Sequence, residues 1–458
     1  MKTGSRRCSP ACLGAAVALF VAPASAGHAP SDTHAYVGAR VIPISGSEID
    51  RGVLVVRDGK IAAVGAEGSV AVPAGATVHD VMGKVIMPGL VDTHSHVGGI
   101  GAADSTGPIQ PGVRVYDSIN PLDSGFRRVV SGGITTLNVM PGSGHLLSGQ
   151  TVYLKMRRPE GDPPRTIEAL FIRDHAGRPM GGIKMANGTN SIGGAPFPGT
   201  RGKSAFLVRE QFIRAREYAE KIKSATGEDG VVDESKRPAR DLGLEALVDV
   251  MEGRTIVHHH THRADDIITV LRLRDEFGFR VVLHHVSEAW KVADEIASAE
   301  RSGGVLGCSV ILVDAPGGKL EATELSMETG AALARAGATV AYHSDDWITD
   351  SRLFLRMAAL GVRGGLDRGE ALRAMTLAGA RMLDLGDRVG SLEPGKDADF
   401  IILSGDPLSV YTKIEQTWVE GRKVFDRADP DDHLHQVGGY GAGRDQTPYL
   451  CCAGGSGS

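Results

Sequence analysis

The run VIMPGLVDTHSHVGG, Val85 to Gly99, decides what fold this chain adopts. An apolar stretch with a Pro-Gly step ends in Asp92-Thr93-His94-Ser95-His96. Side chains alternate along an extended backbone, so His94 and His96 point to the same side. Two imidazoles converging at a strand end can share one divalent cation. The chain has 16 histidines, so one His-x-His pair means little alone. Its meaning depends on what other ligand-type residues the sequence places at strand ends.

The surrounding composition is that of a globular protein: 458 residues, 42% hydrophobic and 23% charged, with 61 glycines for turns. A formal charge of −5 argues against a nucleic-acid partner. No internal apolar run approaches the roughly 20 residues of a membrane-spanning helix. Residues 1–26 read as a secretory signal peptide, with basic Lys2, Arg6 and Arg7, apolar Leu13 to Val21, and Ala24-Ser25-Ala26 as cleavage site. That implies a secreted or periplasmic protein. Arg6-Arg7 lacks the apolar residues a twin-arginine signal places just after it. Cys8 and Cys12 leave with the leader, and Cys308, Cys451 and Cys452 supply no disulfide framework.

Two β-rich blocks flank a long middle. In the first (27–84), Gly52 to Gly65 reads as two strands around an Asp58-Gly59 turn. In the second (386–432), Ala398–Leu403 and Thr417–Phe425 are strands, the latter with a Gly turn. Together the blocks predict a small β-sandwich domain built from both ends of the chain. Residues 85–385 alternate strand and helix: helices over Ala264–Phe277, Thr329–Ala336 and Arg368–Leu383, strands over Phe279–Val286 and Ala338–His343. This α/β alternation predicts a (β/α)8 TIM-type barrel. Residues 433–458 read as a disordered tail.

Catalytic groups of such barrels lie at the C-terminal ends of the strands. Four further strand ends carry ligand-type residues. Arg254 to His262 ends in four histidines, with His258, His260 and His262 on one side. Val281-Val282-Leu283-His284-His285 puts one histidine into the barrel mouth and the other outward. Thr339 to Asp346 ends in Ser344-Asp345-Asp346, where an acid can ligate a metal and accept a proton from its water, or cap a helix. Gly182 to Gly188 carries Lys184. A buried lysine loses its charge readily, and a neutral amine adds carbon dioxide to give a carbamate that can bridge two metals.

This order of ligand types resembles the amidohydrolase superfamily over nearly the whole mature chain. Val85–His96 looks like its first-strand signature, and Gly390 to Asp399 (GSLEPGKDAD) like its C-terminal sheet signature. Ile183–Asn190, His260–Ile267 and His285–Ala289 are similar to the imidazolonepropionase-like branch, which includes binuclear prolidase-like dipeptidases. The resemblance implies two divalent cations, zinc first among them. His94, His96 and Asp345 would hold the more buried ion, His260 and His285 the second, and carbamylated Lys184 would bridge both. His260 is favoured over His262 by its seven residues to Ile267, His285 over His284 by Ser287-Glu288-Ala289, and Asp345 over Asp346 by the Ser-Asp step. His262 and His145, the latter after a glycine-rich loop, are candidate substrate contacts. His343 and Trp347 depart from the small or aliphatic residues common around that Asp.

The implied reaction is metal-assisted hydrolysis of a carbon–nitrogen amide-type bond in a small molecule or short peptide, with Asp345 as general base. A mononuclear deaminase is the alternative, although Thr261-His262-Arg263 lack the acid such enzymes place after this histidine. A non-catalytic secreted binding protein on the same fold is the other. Gly188 to Arg240 reads as a specificity excursion, and the sequence leaves homo-oligomerisation open.

Overall fold

The protein is represented by a computed structural model that describes residues 32–101, 103–158, 164–312, 319–346 and 348–438. The expected leader, Trp347, Cys8, Cys12, Cys451 and Cys452 lie outside these residues. Among the described residues no helix is long and apolar enough to cross a membrane.

Five strands come from the N-terminal block: β1 (Thr33–Val41), β2 (Ile49–Arg57), β3 (Lys60–Ala66), β4 (Thr77–Asp80) and β5 (Val85–Pro88). Nine follow in the middle: β6 (Leu90–Ser95), β7 (Ile134–Val139), β8 (Leu147–Gln150), β9 (Val152–Lys155), β10 (Gly182–Ala186), β11 (Ile256–Thr261), β12 (Val281–His285), β13 (Val305–Val310) and β14 (Val340–Tyr342). The last three are β15 (Phe400–Leu403), β16 (Ile414–Val419) and β17 (Arg422–Asp426).

The two terminal blocks form one eight-stranded sheet, in the order β17-β16-β15-β5-β1-β2-β3 with β4 on β1. Hydrogen bonding runs continuously through it from one terminal block to the other. β5 accounts for this, because it pairs β1 on one side and β15 on the other. The sheet curls around one core in which Tyr36, Leu54, Val56, Ile61, Phe400, Ile402 and Trp418 pack together. The Asp58-Gly59 turn forms as read, with φ of 50° and 75°. Both values are left-handed, as a two-residue turn between twisted strands requires. Glu420-Gly421 repeats the device between β16 and β17 (φ 48° and 71°).

The middle segment holds a six-stranded sheet, β14-β13-β12-β11-β10-β8, and a three-stranded one, β6-β7-β9. From β10 to β14 every pairing is parallel. The expected unbroken βα alternation fails between β7 and β10. There β8 and β9 run antiparallel to β10 and β7, joining the two sheets as one ribbon. At the other edges, a bridge between Ser95 and Asp346 links β6 to the residues after β14.

The helices Ala264–Phe277 and Thr329–Ala336 form over the residues the sequence marks. The expected helix Arg368–Leu383 is broken into Arg368–Ala374 and Leu377–Met382. The Met375 carbonyl accepts from the Val91 N–H of β6 (3.0 Å), and Thr376 leaves the helical conformation at φ −137° and ψ −96°. Docking onto the strand wins over continuing the helix. Gly188–Arg240 is no loop excursion throughout: Arg201–Ser224 is a helix, its N-terminus capped by Thr200 accepting from the Lys203 N–H. Residues 433–437, expected in a disordered tail, complete a helix over Pro430–Val437. Asp432 of this helix pairs with Arg127 and Arg158.

Candidate metal centre

His94, His96, Lys184, His260, His285 and Asp345 come together in the middle segment, Lys184 from the centre of β10 and the others from at or near strand ends. His94 lies in β6 and His96 one residue beyond it. The Nε2 atoms of the pair are 3.3 Å apart. Asp345 follows β14 at φ 49° and donates its N–H to the His94 carbonyl (2.9 Å). Its Oδ1 lies 3.3 Å from His94 Nε2 and 3.0 Å from His96 Nε2, and its Oδ2 lies 3.9 Å from His285 Nδ1. Lys184 Nζ is 3.0 Å from His94 Nε2 and 3.1 Å from the Met140 sulfur.

A second group of donors sits beside the first. The rings of His260 and His285 are 4.3 Å apart, and those of His260 and His262 are 4.7 Å apart. His260, His262 and His285 offer nitrogens all within 4.8 Å of one another, as do His94, His285 and Asp345 with their donor atoms. Ser287 holds His262 through Nδ1 (2.7 Å).

Both nitrogens of His260, Nε2 of His262 and Nε2 of His285 are buried without a protein hydrogen-bond partner. Buried polar atoms are normally paired. Convergent imidazole lone pairs beside a carboxylate are the donor set of a divalent cation. The residues present therefore fit metal ions, and their electrostatics agree. Burial, then neighbouring cations and imidazoles, holds His94, His260 and His285 well below the ordinary histidine value. Neutral imidazole is the ligating form. Burial pushes the Asp345 carboxyl up, but the His96 hydrogen bond and the surrounding cations outweigh it and keep Asp345 ionised. Burial also lowers Lys184 to about 7.

One finding departs from the sequence reading. His284 does not point outward. It is buried against His94 (ring centroids 4.9 Å apart) and bonds His258 (3.0 Å). The cause lies in the next residues: His285 and Val286 adopt φ of 69° and 46°, which breaks the strand alternation and turns both imidazoles inward. His258 sits below His260 in a chain that begins at the Tyr153 hydroxyl (3.0 Å). His145 is buried edge-on against Phe197 (5.2 Å). Asp346 stays outside the donor groups, 4.0 Å from Arg128, and burial pushes it up to about 6.

Sequence reasoning missed Tyr153, Ser309 and Lys319. The Lys319 ammonium further depresses His260 and His262. Asp92, read only as part of the motif, has a definite task. It accepts from the Ser344 N–H (3.0 Å) and hydroxyl (2.5 Å) and from the His94 N–H (3.2 Å). One carboxylate thus fixes β6 and the Asp345 turn relative to each other.

A profile of the Amidohydrolase family matches residues 237–425. A crystal structure of an amidohydrolase from Thermotoga maritima is 30% identical, with a TM-score of 0.75, over 86% of this chain and 100% of that one. The chain belongs to the amidohydrolase superfamily. Within it, the chain is 29% identical to amidohydrolase tasK of Hapsidospora irregularis over 82% of its length, but spans only 39% of that longer protein. It is 25% identical to a dihydroorotase of Syntrophus aciditrophicus, over 80% of this chain and 88% of that enzyme.

Proposed function

We propose that this chain is a metal-dependent hydrolase of carbon–nitrogen amide-type bonds, in a peptide, an N-acyl amino acid or a cyclic amide. The observation that carries this reading is the orphaned, buried imidazole nitrogens of His260, His262 and His285 next to the His94–His96–Asp345 group. The two sheets of the middle segment act as one TIM-type barrel, with β8 and β9 as its antiparallel member and the terminal sheet as a second domain.

His94, His96 and Asp345 would hold one divalent ion, zinc by preference, and His260 with His285 the other. Lys184, held at about 7 by burial, would join the two donor groups as its carbamate. Bound ions lower the pKa of water toward neutrality and polarise the scissile carbonyl. Asp345 takes the proton from the attacking water and passes it to the leaving nitrogen, a role its ionised state permits. His262, fixed by Ser287, orients the substrate. His145 is the more distant contact. The leader directs the chain out of the cytoplasm, which N-terminal sequencing of the mature protein would check.

Metal analysis of purified protein, paired with a screen of dipeptides, N-acyl amino acids and cyclic amides, tests the assignment. Two ions per chain with amide hydrolysis is the expected result. One ion, no bound carbon dioxide and release of ammonia would instead indicate a deaminase. Asp345→Asn should lower turnover by about 10²–10⁴-fold, the usual worth of a positioned proton acceptor, while metal content stays largely intact. Full activity in that variant would remove Asp345 from the mechanism.

A further inference from the structure

We infer that His343 is the positioning residue of His285: it fixes the tautomer and the ring plane through which His285 reaches a metal ion. His285 is tied through one nitrogen only, with Nδ1 lying 3.1 Å from His343 Nε2. Its Nε2 is buried and has no protein partner. The free nitrogen is the one left to ligate, so the proton must sit on Nδ1. That makes His343 Nε2 an acceptor, which in turn puts the His343 proton on Nδ1. There it meets Ser309 Oγ at 2.9 Å, and Ser309 meets Thr93 Oγ1 at 2.6 Å.

As far as Ser309 the proton assignment is fixed once His285 ligates through Nε2: His285 donates to His343 and His343 to Ser309. In the last bond either the Ser309 or the Thr93 hydroxyl donates. The relay crosses four strands or strand ends (β12, β14, β13 and β6) and finishes one residue before His94. It therefore ties a ligand of one donor group to the backbone that carries the other.

His343 is buried and lies face to face with His94 (ring centroids 4.9 Å, planes 16° apart). Its ring has no freedom to rotate away. The positive φ of His285 explains why such a brace is needed. A histidine in left-handed backbone at a strand end is not oriented by strand geometry, so its direction must come from a side-chain partner.

This inference rests on the reading that the cluster holds metal, and the test separates the two. The holoenzymes of wild type, His343→Phe and His343→Gln are compared by competition with a chromophoric chelator and by the visible absorption of the cobalt-substituted forms. His343→Phe should still take up both ions at saturation, but release one of them to the chelator at about 10–100-fold lower competing concentration, the usual effect of removing a group that orients a ligand. His343→Gln can accept from His285 Nδ1 through its amide oxygen and should recover most of the affinity. Wild-type affinity in His343→Phe would overturn the inference. So would complete loss of one ion at saturation together with a changed cobalt coordination spectrum, because His343 would then be a ligand itself. A wild type that binds no metal would overturn the proposed function instead.

Discussion

Lys155 and Lys184 are both completely buried in strands, and their surroundings differ in charge. Lys155, at the end of β9, is surrounded by carboxylates. Asp397 contacts it directly, Asp399 lies at 3.3 Å and Glu420 at 3.6 Å. Lys60 and Arg157 complete the network at 2.5 Å from Asp397 and 2.7 Å from Glu420. Lys184 makes no ion pair with a carboxylate among the described residues; its neighbours are an imidazole and a thioether. A buried ammonium needs a compensating charge or must lose its own. Lys155 joins β9 to the terminal sheet through these carboxylates. Burial instead holds Lys184 down to about 7.

The comparison can be broken most severely at Lys155. Lys155→Met leaves Asp397 and Asp399 buried without their main partner, which should cost about 3–5 kcal/mol of stability. Denaturant unfolding would measure this, and turnover per folded molecule should be unchanged. A loss of less than about 1 kcal/mol would mean the network is hydrated and not structural.

Lys184→Met should behave in the reverse manner. On the proposed bridging role its turnover should fall about 10–100-fold, while the metal-free protein should unfold no more easily than wild type. Steady-state assays at saturating metal, beside thermal melts of the apoprotein, read both effects. Unimpaired turnover would remove Lys184 from the metal centre.

The smallest effect is a dependence on pH. Lys184 stands at about 7 in the folded chain against 10.5 ordinarily. Between these values the unfolded chain holds a proton that the folded chain has released, so stability rises with pH. Below about 7 both states are protonated and the slope vanishes. In metal-free protein the melting temperature of wild type should therefore gain about 2–4 °C on that of Lys184→Met between pH 7 and 10. A constant difference would show that the amine remains charged when buried.

The clustered donor residues were legible because most end an apolar run with a strong period, as in Val281 to His285 or Thr255 to His260. Period two predicts a side correctly only while the backbone stays extended. It placed His94, His96 and His260 well and failed at His284, where left-handed residues follow. The antiparallel β8–β9 ribbon was invisible because Val152-Tyr153-Leu154-Lys155 reads like any short strand, and nothing local records its direction. The helix break at Thr376 depends on Val91, nearly three hundred residues earlier. The GSLEPGKDAD stretch was recognisable by resemblance, but its physical task shows only in the fold: Asp397 and Asp399 neutralise Lys155.

The terminal sheet has a consequence for how the chain is made. β5 reaches its final partner β15 only after the whole middle segment has emerged from the ribosome. Until then its far edge carries unpaired backbone groups on the apolar sequence Val-Ile-Met-Pro, a hazard for aggregation during synthesis. Truncation from the C-terminal side would expose that edge permanently and would also strip Lys155 of its acids. The last fifty or so described residues are thus the clasp that closes a fold begun at Thr33, and shortened versions should fail in production before they fail in catalysis.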